Sequence, residues 1–255
     1  MTLSRGTPQA DWLLVEVTEI IKLAELEDRH WWYHERRVLL RELIADLYPE
    51  MVPGRVALDI GAAAGGNTRV LRDLGFTAVP LEFDIEGATL ARQRGLPSLR
   101  ADARRLPFGC DVAEVAVAFD ILEHVDDHAA VLTEIHRVLR PGGHLLVAVP
   151  ADMDLWSAHD EAVGHLRRYS REGLRHVTEA AGFHIDDIWS WNVLMRNLTA
   201  VRRRRATGSQ LEEHSRVVNA TLRWAMAGER RLPLLRRRRG VSLFMTATRP
   251  SHSAG

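Results

Sequence analysis

Apolar positions along residues 10–48 recur with a helical period: Leu13/Leu14, Val17, Ile20/Ile21 and Leu26, then Val38/Leu39/Leu40, Leu43/Ile44 and Leu47. The spacing predicts a helical region carrying the aromatic run His30-Trp31-Trp32-Tyr33-His34 and closed by Pro53-Gly54. From Arg55 to Pro150 strand-like and helix-like runs alternate. Strands are expected at 55–60, 76–82, 96–100, 112–119 and 144–149, and helices at 66–75, from 83 to about Gly95, and at 126–140. Beyond Pro150 the pattern predicts a loop at 151–169, a helix at 171–181 capped by Ser170, and a strand at 183–191. An Arg-rich stretch at 195–240 follows, helical near 210–227, then a final strand at 241–248. This alternation predicts an α/β chain with a parallel, doubly wound sheet. The domain reading is an N-terminal helical cap (1–53), a sheet domain (54–250) with a basic insertion (195–240), and a disordered tail (251–255).

Composition narrows the class. The 255 residues, 46% hydrophobic and 27% charged, suit one globular domain with a sizeable core. Cys110 is the only cysteine, which excludes a disulfide framework and argues against a cysteine-based metal site; no metal is expected. Residues 12–26 carry Glu16, Glu19, Lys22 and Glu25 at intervals, so neither a signal peptide nor a membrane span is expected, and the chain is assigned to the cytosol. Net charge is zero but uneven: residues 201–240 hold twelve Arg against three Glu, a local charge of +9. That stretch reads either as a solvated face or, with Trp224, Met226, Leu232, Leu234 and Leu235 among the Arg, as a peripheral contact with an anionic membrane. RNA is less favoured, because no stacking module accompanies the arginines.

The chemistry-bearing stretch is RVALDIGAAAGGN at 55–67: a strand ending in Asp59, a small-residue turn at Gly61, Gly65 and Gly66, then a helix start. In a doubly wound sheet, ligands bind at the carboxyl ends of the strands. Those ends carry Asp59 and Gly61, Glu82 or Asp84, Asp102, and Phe119-Asp120. Glu82, 23 residues after Asp59, is placed to accept both hydroxyls of a ribose, with Asp84 as alternative; Asp102 is placed for an adenine amine. Gly61-x-Ala63-x-x-Gly66 is one substitution from the dinucleotide fingerprint, so a nicotinamide-dependent oxidoreductase stays open as a rival. A Tyr-x-x-x-Lys proton donor is excluded, because Lys22 is the only lysine. A non-catalytic cofactor- or RNA-binding module is the third reading.

These residues resemble the class I S-adenosylmethionine-dependent methyltransferases. The resemblance rests on LDIGAAAGGN (58–67), Glu82, DARRLPF (102–108), AFDILEHVDD (118–127) and RVLRPGGHLLVAVPA (137–151). The family's D-x-G-x-G-x-G is met at Asp59, Gly61 and Gly65, with Ala63 at the middle glycine. It implies a Rossmann-like seven-stranded sheet whose last strand is antiparallel, and S-adenosyl-L-methionine as cofactor. Asp59, Gly61 and Gly65 would line its methionine part, Glu82 its ribose, and Asp102 and Ala103 its adenine; Asp120 would face the sulfonium, and Ala63 would be among the cofactor-binding residues. HWWYHERR (30–37) and the LWS…HD…GHLRRY loop resemble a bacterial branch of the family connected with cell-envelope, glycan and lipid metabolism.

The reaction so implied is methyl transfer to a small-molecule, glycan or lipid-linked acceptor, at oxygen in preference to carbon. A hydroxyl acceptor needs help in losing its proton, and His124, His165 and Tyr169 are the candidate catalytic residues. Arg167 and Arg168 read either as a clamp for an anionic acceptor or as a closure of the loop onto the domain. Trp31, Trp32 and Tyr33 read either as the mouth of an acceptor pocket or as core.

Overall fold

The fold is organised by seven short strands, the most apolar of which lies near the middle of the sheet. In the computed structural model, which describes residues 26–50, 53–204 and 214–251, β1 (Val56–Ile60), β2 (Thr77–Glu82), β3 (Leu99–Arg100), β4 (Ala113–Phe119), β5 (Leu139–Pro150), β6 (His184–Trp191) and β7 (Ser242–Thr248) form one sheet in the order β3-β2-β1-β4-β5-β7-β6. β1 to β5 pair in parallel, and β7 runs antiparallel to both β5 and β6. β4 reads Ala-Glu-Val-Ala-Val-Ala-Phe and is buried along nearly its whole length, as a central strand covered on both faces must be.

Two helical layers cover the sheet. On one face α1 (Trp31–Leu47), α2 (Gly66–Asp73) and α8 (Arg216–Arg230) bury Leu39, Leu40, Ile44, Leu71 and Met226 against Val115, Val117, Leu146 and Phe244. On the other, α4 (His128–Val138) and α6 (Arg171–Ala180) bury Leu132, Ile135 and Leu174 against Ala116, Leu145, Val147 and Met245. Four helix starts are set by a short polar side chain that satisfies an otherwise unpaired backbone N–H. Asp84 caps α3 (Ile85–Gln93), Asp127 caps α4, Ser170 caps α6 and Ser215 caps α8.

Two segments differ from the sequence expectation. The stretch expected as a loop at 151–169 holds a 3-10 turn at Met153–Leu155 and a helix, α5 (Ala158–Ala162), started by a reciprocal Ser157–Asp160 capping box. Such short turns carry too few periodic apolar positions to register in a sequence window. Among the described residues the Arg-rich stretch holds two α-helices, α7 (Arg196–Arg204) and α8, and a 3-10 turn at Pro233–Arg237, and α8 packs on α1 with Arg230 paired to the buried Glu35. The expectations for residues 1–25, and for the tail beyond Ser251, lie outside the described residues.

Candidate functional site

A cavity of about 750 Å³ opens at the carboxyl ends of the strands. Its wall includes Gly61, Ala63, Glu82, Asp102, Ala103 and Asp120, then continues past His124 and His165 to His30, Trp31, Trp32 and Tyr33 on α1 and to Arg202 and Arg203 on α7. Six of the eight residues expected at the cofactor, and two of the three expected to be catalytic, therefore share one space.

Backbone strain concentrates at its rim. Asp120, Asp152 and Asn192, each within two residues of the ends of β4, β5 and β6, all have left-handed backbone angles, with φ of 54°, 54° and 58°. Non-glycine residues hold that conformation only where the surroundings impose it. Gly61 has φ 73°, and Ala63, at the family's middle glycine, has φ 44°. The methyl group of Ala63 is thus carried in a backbone conformation that glycine would occupy without strain.

Glu82 is fastened from two sides: Ala63 N donates to its Oε2 at 2.8 Å and Asp84 N to its Oε1 at 3.0 Å. Burial pushes its carboxyl up, against the lowering effect of those N–H groups. Asp84, the alternative, spends its Oδ1 on Glu86 N at the start of α3. Asp102 lies at the exposed margin, where the Arg104 guanidinium grips it and holds its carboxyl below the usual range. Asp120 pairs with Arg36 at 2.8 Å.

Three expected residues sit off the wall. Asp59 is buried behind the loop, where Thr68 Oγ1 donates to its Oδ2 at 2.5 Å; burial raises its carboxyl to about 7. Gly65 is covered by Leu96, so its lack of a side chain serves packing. Tyr169 is a buried strut: its hydroxyl donates to Leu122 O at 3.1 Å and lies 2.6 Å from His128 Nδ1. Arg167 and Arg168 close the loop onto the domain. Arg167 donates to Leu122, Val125 and Asp126 carbonyls, and Arg168 to Ala151 O and Asp160. Trp31 meets both readings, lining the cavity while packing into the core against Trp191.

Beside the chamber, Asp160 gathers His165 Nδ1 (2.8 Å), Arg168 (2.7 Å) and Arg203 (3.0 Å). Burial alone would raise its carboxyl; His165, Arg203 and His159 together hold it low. His124 is exposed on the cavity, and desolvation by the protein packed around its ring lowers it to about 3. Burial likewise lowers His159 to about 4.

The sequence reading missed Arg36 and Asn192. Arg36 is 3% exposed, with its guanidinium 5.3–5.9 Å from the ring centres of Trp32, Phe119, Trp191 and Phe244. The signal was present, because Trp32, Arg36, Leu39/Leu40 and Leu43 lie on one helical stripe, and a lone Arg there must be buried.

The groups at the strand tips suit S-adenosylmethionine. Glu82 presents its carboxyl beside the glycine turn, Gly61 and Ala63 line the crevice with small residues, and Phe83, Ala103 and Ile121 supply apolar wall for a base. The comparisons agree. A probable S-adenosylmethionine-dependent methyltransferase of Mycolicibacterium smegmatis is 28% identical over 64% of this chain and 63% of its own length. The demethylmenaquinone methyltransferase of Mycobacterium tuberculosis strain H37Rv is 33% identical over 48% of this chain and 47% of its own. The chain thus spans about half to under two thirds of these relatives. Among solved structures, phosphoethanolamine N-methyltransferase 2 of Haemonchus contortus, with phosphomonomethylethanolamine and S-adenosylhomocysteine bound, superposes with TM-score 0.63 at 16% identity, over 96% of this chain and 61% of that one. The [4+2]-cyclase SpnF superposes with TM-score 0.61 at 20% identity, over 98% of each. The profile described as a methyltransferase domain matches residues 32–188, more than half of the sequence, and the chain belongs to that family, in its class I S-adenosylmethionine-dependent form.

Proposed function

We propose that this chain transfers a methyl group from S-adenosylmethionine to an oxygen of a small-molecule, glycan or lipid-linked acceptor. The observation that carries the reading is the continuity of the cavity: the strand-tip crevice at Gly61, Glu82 and Asp102 opens directly into the chamber under Trp31 and Trp32. Its volume of about 750 Å³ exceeds the need of one nucleoside-sized ligand. When bound, the cofactor supplies an electrophilic methyl carbon on a good leaving group. The protein's task is orientation and exclusion of water, which contributes on the order of 7–11 kcal/mol at best.

Glu82 would take the ribose hydroxyls, and Asp102 and Ala103 would bound the adenine. Asp120, held by Arg36, would face the sulfonium, where a carboxylate attracts the positive charge. The indoles of Trp31 and Trp32 keep the acceptor side dry. The acceptor's hydroxyl proton would leave at the wall formed by His124 and His165, two of the imidazoles that line the chamber.

The outer face of α8 supports contact with an anionic membrane. Val217 and Trp224 are exposed there, Leu232 and Leu234 just beyond, and Arg216, Arg231 and Arg236–Arg238 flank them. No helix among the described residues is long and apolar enough to cross a membrane.

The reading is tested by incubating the chain with methyl-labelled S-adenosylmethionine and extract of the source organism, then identifying the labelled product. A product carrying the label as a methyl ether or ester supports it. Label on nitrogen or carbon, or none with any acceptor, overturns it.

A further inference from the structure

The turn after β4 and the loop after β5 are tied edge to edge, with Leu166 N donating to Glu123 O at 2.8 Å. This contact brings three side chains together that the methyl-transfer reading uses only in part. Glu123 is fully buried, and neither of its carboxylate oxygens has a hydrogen-bond partner. A buried carboxylate without partners is among the costliest groups a fold can hold. His165 faces it, with Nε2 lying 3.9 Å from Glu123 Oε1. The tautomer of His165 follows from Asp160: an ionised carboxylate only accepts, so Nδ1 carries the proton it donates across 2.8 Å. In the neutral ring Nε2 therefore presents a lone pair towards Glu123. The two groups face each other across 3.9 Å, a gap too long for a hydrogen bond. His124 stands beside them, its ring 4.8 Å from that of His165 and hydrogen-bonded to the backbone of Gly164.

We propose that Glu123, His124 and His165 bind one divalent transition-metal ion of the zinc class, with its open position on the cavity. One ligand atom from each residue lies within 4.8 Å of the other two. Tetrahedral ligands about 2.0–2.2 Å from a zinc ion are about 3.3–3.6 Å apart, so side-chain rotations close the difference. Two imidazoles and one carboxylate are a donor set suited to zinc, cobalt or ferrous iron rather than magnesium. The outer contacts match those that orient metal-binding histidines: Asp160 holds His165, and the Gly164 backbone holds His124. His124 and His165 both line the cavity, so the fourth position points to where an acceptor would lie.

The ion's role there rests on the methyl-transfer reading, but its binding does not. An acceptor hydroxyl at the open position would ionise at lower pH. Its O–H bond breaks, the proton passes to water, and the oxygen keeps the electron pair with which it attacks the methyl carbon. His165 then holds the ion instead of taking the proton.

The test uses the full chain, untagged and dialysed against chelator. Titration calorimetry with Zn²⁺ should show one equivalent bound, and Co²⁺ should give the visible absorption of a four-coordinate ion. Glu123→Gln and His165→Ala should each weaken Zn²⁺ binding by more than the about 10–100-fold that follows loss of an outer-shell partner. S-adenosylhomocysteine affinity, read on the same samples, should stay within about twofold and shows that the variants are folded. His124→Asn, at a cavity-facing position, supplies a further variant if a buried substitution fails to fold. Absence of stoichiometric Zn²⁺ binding, or equal affinity in wild type and folded variants, overturns the site. Zn²⁺ binding by a chain that ignores S-adenosylhomocysteine would leave the metal site standing and remove the methyl-transfer reading.

Discussion

Asp59→Asn should stabilise the chain above neutral pH. The side chain is 1% exposed, and burial, reinforced by the charges of Glu27 and Glu82, raises its carboxyl from 3.8 to about 7. The folded chain therefore keeps a proton over a range where the unfolded chain has released it. The stabilisation from this group is complete below pH 3.8, declines as pH rises through about 7, and is gone above that. A gap of about 3 pH units corresponds to about 4 kcal/mol. Asparagine carries no charge to desolvate, and its carbonyl oxygen can still accept the Thr68 hydroxyl. Urea unfolding of both proteins at pH 5.5 and 8.0 isolates the effect, because every other titrating group is shared. The difference in unfolding free energy should shift by about 2 kcal/mol in favour of the variant between the two pH values. A difference that does not change with pH would mean that Asp59 ionises normally in the folded chain, and the argument would fail.

Glu82→Gln should weaken S-adenosylhomocysteine binding by about 10–100-fold in calorimetry, since a charged acceptor of two hydroxyls is worth about 1.5–3 kcal/mol; unchanged affinity would remove Glu82 from the ribose. Ala63→Gly should raise unfolding free energy by about 0.5–1 kcal/mol, because relief of a left-handed alanine outweighs the added chain entropy; a loss of stability in urea would contradict it. Arg36→Ala should cost about 2–4 kcal/mol by the same measurement, through the space left among four rings; a loss under 1 kcal/mol would show the cage to be loosely packed. Trp224→Asp should abolish sedimentation with vesicles of anionic phospholipid, each nearby Arg contributing about 1 kcal/mol to that attraction; wild-type protein that stays in the supernatant would count against the membrane contact.

The strand tips were legible because they are local. A five-residue apolar run, a turn of small residues and an acidic strand end are set by neighbours in sequence, so Gly61, Asp102 and Asp120 could be placed from the strand ends, Glu82 with Asp84 as its alternative, and Ala63 through the family resemblance. Asp59 and Gly65 belong to the same motif, yet one is spent on Thr68 and the other on Leu96, partners 9 and 31 residues away. The Asp160 hub was visible only as a string of titratable residues. Its meaning depends on Arg203, which reaches it from α7 across 43 residues of chain. Tyr169 read as catalytic because hydroxyl and loop were visible while its buried carbonyl partner at Leu122 was not.

The antiparallel β7 has a consequence for how such a chain can change. Trp191 closes β6 and sits beside Ser242, which begins β7, so the two strands meet at the rim where the cavity opens. The chain between them departs from and returns to that one rim, and its described residues Asn192, Thr199, Arg202, Arg203, His214 and Val241 line the cavity. The floor, built from β1, β2 and β4, shares no strand with them. Changes at Thr199, Arg202, Arg203 and Val241 therefore reshape the cavity wall on one side while leaving Gly61, Glu82 and Asp102 on the other untouched.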